Sequence, residues 1–105
     1  MALYAIGERT PTIHPTAFVH PEAVIIGDVT VGAEASVWPT AVLRGDTGRV
    51  VIGAQTSIQD GSVLHCTEEQ DTIIGDRCVI GHRAHLEGCT IEDDSLIGMG
   101  SILMS

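Results

Sequence analysis

Residues 13–43 read IHPTAFVHPEAVIIGDVTVGAEASVWPTAVL, and in this stretch Ile13, Val19, Ile25, Val31, Val37 and Leu43 follow one another at a constant spacing of six. A period of six fits neither the 3.6-residue helix nor a long alternating strand. It fits a hexapeptide β-helix, in which a short strand carries one inward aliphatic residue and a turn follows at once. Working outward, the register resumes as Ile52, Ile58 and Leu64 after three extra residues within Asp46 to Val50. It resumes again as Ile74, Ile80 and Leu86 after four more in Thr67 to Asp71. Both insertions are expected to be corner loops, near 46–50 and 67–72. Leu86 to Ile91 is one residue short, so the phase slips near Gly88-Cys89-Thr90 before Ile97 and Leu103 recover it.

Glycine often follows the aliphatic residue directly, as in Ile52-Gly53, Ile74-Gly75, Ile80-Gly81 and Ile97-Gly98, and a small residue tends to come four positions after it. The glycines, Pro11, Pro15, Pro21 and Pro39, and the β-branched excess oppose a helical reading. Three rows make one triangular coil, so residues 18 apart, plus any insertion, stack at a strand spacing of about 4.8 Å. The expectation is an all-β solenoid of about five coils forming one β-helix domain over 1–105, with 1–12 as a lead-in. The chain stops mid-coil at Ser105 with no visible cap, as in a shortened piece of a longer protein.

Composition supports a narrow interior. Among 105 residues the only aromatics are Tyr4, Phe18 and Trp38, too few for a compact globular core but suited to a solenoid that admits one small aliphatic residue at a time. The net charge of −9 opposes binding to nucleic acid or an anionic membrane surface. No apolar run has membrane-spanning length and the N-terminus lacks a signal-peptide pattern, so a soluble cytoplasmic protein is expected. Cys66, Cys78 and Cys89 are odd in number and form no C-x-x-C pair; they read as buried thiols in a reducing compartment.

Phasing the rows in threes places Leu43, Leu64 and Leu86 on one face of successive coils. Their followers Arg44, His65 and Glu87 then stack in an outward column, because neighbours of an inward strand residue point the other way. The adjacent face sets Asp60 beside His82. His65, His82 and His85 gather on one edge, whereas His14 and His20, each before a proline, read as turn residues. A triangular prism bearing such an edge suits closed three-fold assembly. His82 of one copy could then meet His65 and Glu87 of the next, a set of two imidazoles and one carboxylate that suits zinc with a position left for water.

Several motifs in order carry a family resemblance: Val42-Leu43-Arg44-Gly45-Asp46, then Thr56 to His65 (TSIQDGSVLH), then Ile80-Gly81-His82, then Gly88-Cys89-Thr90-Ile91, then Leu96 to Ser101 (LIGMGS). Together they span nearly the whole chain, which resembles the γ-class carbonic anhydrase family. The resemblance implies a left-handed parallel β-helix and a homotrimer. It also implies Zn2+ at the subunit interfaces, where Fe2+ or Co2+ would also suit the ligands, and hydration of carbon dioxide to bicarbonate by a metal-bound hydroxide.

The family's first two histidine ligands fall on His65 and His82, but its third falls on Glu87. Three outcomes are open there: Glu87 ligates the metal, His85 substitutes for it, or the site holds no metal and His85 and Glu87 pair across the interface. Arg44 and Asp46 match the family's arginine and aspartate, which pair across the interface. Gln59 and Asp60 match its glutamine and aspartate, Gln59 being implied to orient water or bicarbonate. Ser57 stands where the family has an asparagine. The family's C-terminal coils and final helix have no counterpart here. The acidic loop of Glu68, Glu69 and Asp71 reads as solvated surface on a candidate proton route. The competing expectations are a catalytically silent trimeric module, supported by Glu87 and Ser57, and a hexapeptide acyltransferase.

Overall fold

The computed structural model describes residues 2–105, which form fourteen strands and no helix. In chain order these are β1 (Ala2–Tyr4), β2 (Thr12–Ile13), β3 (Phe18–Val19), β4 (Val24–Val31), β5 (Ser36–Val37), β6 (Val42–Ile52) and β7 (Ser57–Ile58). The second half continues with β8 (Val63–His65), β9 (Thr72–Ile74), β10 (Val79–Ile80), β11 (His85–Glu87), β12 (Thr90–Ile91), β13 (Leu96–Ile97) and β14 (Ile102–Met104). Every strand pairing is parallel, and the coils wind as a left-handed parallel β-helix.

The three faces follow the six-residue rows. One stacks β3, β5, β7, β10 and β13, with Val37 over Ile58 over Ile80 inside. The second stacks the first half of β4 and of β6 on β8, β11 and β14, aligning Ile25, Leu43, Leu64, Leu86 and Leu103. The third runs through β2, the second halves of β4 and β6, β9 and β12, aligning Ile13, Val31, Ile52, Ile74 and Ile91. Almost all of these aliphatic residues are buried, and Ala35, Ala41, Ala84 and Cys78 fill the corners between faces. The prism is too thin to hold a second layer of side chains, so the core is these three columns.

The corners carry a feature absent from the hydrophobic pattern. Glu34, Thr40, Gln55, Arg77, Arg83 and Asp94 all have left-handed backbone, with φ between 53° and 64°. Each lies three residues after an inward aliphatic residue, and Gly61 and Gly100 occupy the equivalent place. A non-glycine residue there costs about 1–2 kcal/mol. The conformation is held by the coil on one side: Gln55, Arg77, Arg83 and Asp94 donate their backbone N–H to Ala33, Ala54, Asp60 and Asp76, at 2.8 to 2.9 Å.

The two insertions differ in form. Residues 46–50 lie within β6, which runs unbroken, where a corner loop is expected from the sequence. Gly27 pairs with Gly45 but Val29 pairs with Val50, so the extra residues bulge outward opposite Asp28. Gly45 permits this, because a Cβ there would collide with the Asp28 carbonyl. The second insertion is a true loop closed by Thr67, whose hydroxyl accepts the Gln70 N–H at 2.9 Å.

Thr72 pins that loop to the coil. It is fully buried, donates its hydroxyl to the His65 carbonyl and accepts the Gly88 N–H at 2.8 Å. Thr72→Val keeps the shape but strands a buried donor and acceptor, so it should lower unfolding stability by about 1–3 kcal/mol in urea melts. Thr72→Ser, retaining the hydroxyl, should lose less.

Candidate metal centre

His65 closes β8, and its ring stands in the outward column between Arg44 on β6 and Glu87 on β11, in direct register with both. The column arises because Leu43, Leu64 and Leu86 occupy the interior and strand alternation turns each follower outward. The β6 bulge brings Asp46 back over the same imidazole. Asp46 Oδ1 lies 2.8 Å from His65 Nε2, and Asp46 Oδ2 takes the Arg44 guanidinium at 3.4 Å. The Arg44–Asp46 pair that the resemblance implies across an interface thus already forms within one chain.

On the other side of the ring, His65 Nδ1 stands 3.6 Å from Glu87 Oε1 and 3.5 Å from an Arg44 nitrogen. Glu87 Oε1 is also 3.0 Å from His85 Nε2. His85 and Glu87 flank buried Leu86 and both face outward, so their pairing lies within the chain and needs no second copy. His82 lies apart from this group, in the turn between β10 and β11 at the opposite edge of the same face. There Nδ1 is 3.4 Å from Asp60 Oδ1, and both side chains are about half exposed, at 50% and 51%. Gln59 directly follows Ile58 on the neighbouring face and donates its backbone N–H to the Ile80 carbonyl, and Ser57 pairs in register with Val79 and Ser36 on that face. His14 and His20 serve their turns, accepting the N–H of Thr16 and of Glu22 on Nδ1.

Electrostatics keep both carboxylates charged. The hydrogen bond from His85 pulls the Glu87 carboxyl below its usual 4.5, assisted by the charge of His65 and opposed by partial burial. For Asp46, burial pushes the carboxyl upward, but the hydrogen bond and charge of His65 outweigh it and the net shift is downward from 3.8. Asp46 therefore fixes the Nε2 proton of His65, a carboxylate–imidazole relation that commonly orients a metal-binding histidine. In the neutral ring this leaves Nδ1 as an acceptor, facing Glu87 and the Arg44 guanidinium. Two acceptors converging on one gap fit a cation, so the donor set of His65 and Glu87 is compatible with zinc. Within the chain His82 is held by Asp60 instead.

Comparison with known proteins identifies the coil. The profile described as the hexapeptide repeat of succinyl-transferase matches residues 71–105. The carnitine operon protein CaiE of Escherichia coli O157:H7 is 51% identical over 104 residues, covering 99% of this chain and 53% of its own length, and that of Escherichia fergusonii matches to the same extent. Among solved structures, a putative acetyltransferase of Bacillus cereus superposes with a TM-score of 0.97 at 38% identity, covering 99% of this chain and 60% of its own. A hexapeptide transferase family protein from Anaplasma phagocytophilum gives 0.67 at 33% identity, covering 99% and 75%. The chain belongs to the hexapeptide-repeat family.

It spans about half the length (53%) of the curated relatives it matches. Within the hexapeptide coil, the structure assembles Arg44, Asp46, His65, His85 and Glu87 on one edge, and sets His82 with Asp60 on the other. Cys66 is the residue that reading the hexapeptide rows passes over as a buried thiol. Its Sγ lies within 4.8 Å of the donor atoms of both Asp46 and His65. The signal for it was its place directly after His65 and before the second insertion, where strand alternation turns it inward beneath the β6 bulge.

Proposed function

We propose that the protein is a γ-class carbonic-anhydrase-like hydratase, acting on carbon dioxide and bicarbonate as a homotrimer with His65 and Glu87 of one copy and His82 of the next as zinc ligands. The observation that carries this reading is the outward ladder of Arg44, His65 and Glu87 with Asp46 clamped on His65. It is the geometry of an oriented imidazole beside a permanent anion. Bound zinc would supply a Lewis acid that makes hydroxide available near neutral pH, as it does in carbonic anhydrase.

The chain's own residues do the rest. Asp46 holds the His65 ring and its tautomer, and Arg44, paired with Asp46, places a fixed cation beside the site to attract bicarbonate. Gln59 is the amide available to orient water or bicarbonate, and Asp60 positions His82. Glu68 and Glu69 are exposed next to His65 in sequence and offer proton acceptors to solvent.

A second reading rests on the 3.0 Å contact of His85 with Glu87: this pair satisfies itself, as it would in a catalytically silent trimeric module. Metal analysis of the purified assembly, joined to a carbon dioxide hydration assay, separates the two. Near-stoichiometric zinc with hydration activity supports the hydratase; a metal-free, inactive trimer supports the module. Binding of acetyl-CoA would point instead to acyl transfer, the activity named for the putative acetyltransferase of Bacillus cereus.

A further inference from the structure

The β6 bulge builds a second donor cluster that lies entirely within one chain. Asp46, His65 and Cys66 each present a ligand atom, and all three atoms lie within 4.8 Å of one another. Cys66 forms the inner wall: its thiol is buried, Sγ accepts the Gly48 N–H at 3.1 Å, and the Thr47 hydroxyl stands 3.7 Å away. The thiol also lies 3.7 Å from the Arg44 carbonyl, and cysteine ligates metals as the thiolate, so binding here would release the thiol proton. Asp46 and His65 form the outer wall and keep 29% and 19% of their side chains exposed, which leaves an entry from solvent. Asp46 uses Oδ2 for Arg44, so Oδ1 is the oxygen turned toward the cluster.

We propose that Asp46, His65 and Cys66 constitute an intrachain site for a borderline-soft divalent ion of the zinc class. Bonds of about 2.0–2.3 Å to oxygen, nitrogen and sulfur set ligand atoms on one zinc ion roughly 3.3–3.8 Å apart, so closing the cluster needs adjustments of about 1 Å or less at a bulge already outside the regular ladder. A thiolate and an imidazole select zinc or cobalt over magnesium or calcium. The ion displaces the proton shared between Asp46 and His65 and that of the thiol, leaving one position for water. This set needs no second copy of the chain, and it competes with the interface set for the single ring of His65.

Cobalt(II) is the probe, because a cysteine ligand gives a sulfur-to-cobalt charge-transfer absorption in the near ultraviolet that imidazole and carboxylate ligands do not. The chain is stripped of metal and titrated as wild type, His82→Ala, Cys66→Ser and Asp46→Asn. His82→Ala removes a ligand unique to the interface set, so the absorption should appear there whatever becomes of the hydratase reading. It should vanish in Cys66→Ser, and Asp46→Asn should weaken cobalt binding at least tenfold. Absence of the band in His82→Ala would overturn the proposal, as would its persistence in Cys66→Ser, which would assign the sulfur to Cys78 or Cys89. If Cys66→Ser does not fold, unchanged cobalt affinity in Asp46→Asn is equally fatal. Loss of hydration activity in His82→Ala with the band intact would leave both sites standing.

Discussion

Leu64→Ala should lower the unfolding free energy by about 2–5 kcal/mol, seen as a fall in the urea midpoint. Leu64 is completely buried and stacks in register between Leu43 and Leu86. In a compact domain, neighbouring elements can settle toward such a vacancy. Here the walls are held apart by parallel ladders on all three faces, and the strand spacing of about 4.8 Å cannot shrink. The cavity therefore stays open and the cost belongs at the upper end of that range. Each coil touches only the coils above and below it, so the lesion also weakens the link between the two halves of the prism, and a broadened or two-step melt is expected. Leu103→Ala, in the last coil where the same column is only partly buried, should cost clearly less. The contrast tests whether stability resides in the stacked column rather than in the strands themselves.

The column was legible because one spacing decides it. A narrow interior accepts one aliphatic residue per row, so Ile13 to Leu43 reveal the period, and Leu64 and Leu86 show that both insertions keep the phase. Once the phase is known, alternation turns Arg44, His65 and Glu87 outward together, and the structure puts them in register. What the period conceals is everything that departs from it. The left-handed corners at Glu34, Gln55 and Arg77 have no apolar signature, since their conformation is held by backbone N–H groups donated to the preceding coil, to Thr16, Ala33 and Ala54. The form of the first insertion depends on Gly45 meeting the Asp28 carbonyl across a coil, a contact no linear spacing displays. Alternation sets His85 and Glu87 on one side of Leu86 but does not say that they pair within the chain. Alternation does not say that His82 meets Asp60 at the edge away from His65, and Cys66 joins Asp46 only because the bulge folds over it.

Glu87→Ala should weaken zinc binding at the interface by at least 100-fold, measured by competition with a chromogenic chelator. The argument begins with charge. Glu87 is anionic at neutral pH, its carboxyl held by His85 and His65 below an ordinary value that is already acidic, and an anionic oxygen facing an imidazole nitrogen across 3.6 Å is an electrostatic reason for a cation to reside there. Losing an oriented partner of a metal-binding histidine costs about 10–100-fold in affinity, and losing a ligand should exceed that. Glu87→Gln separates charge from shape: the amide still reaches His65 but supplies no negative charge, so it should fall close to the alanine variant if the carboxylate ligates. Glu87→His is the informative opposite. A neutral imidazole leaves more net positive charge on the ion, so bound water becomes more acidic and hydration activity should extend to lower pH than in the wild type. His85 provides the internal control, since His85→Ala frees Glu87 from its 3.0 Å contact without removing a ligand from the proposed set. If zinc affinity is unchanged in Glu87→Ala but collapses in His85→Ala, the third ligand is the histidine two residues earlier and the carboxylate only holds it in place.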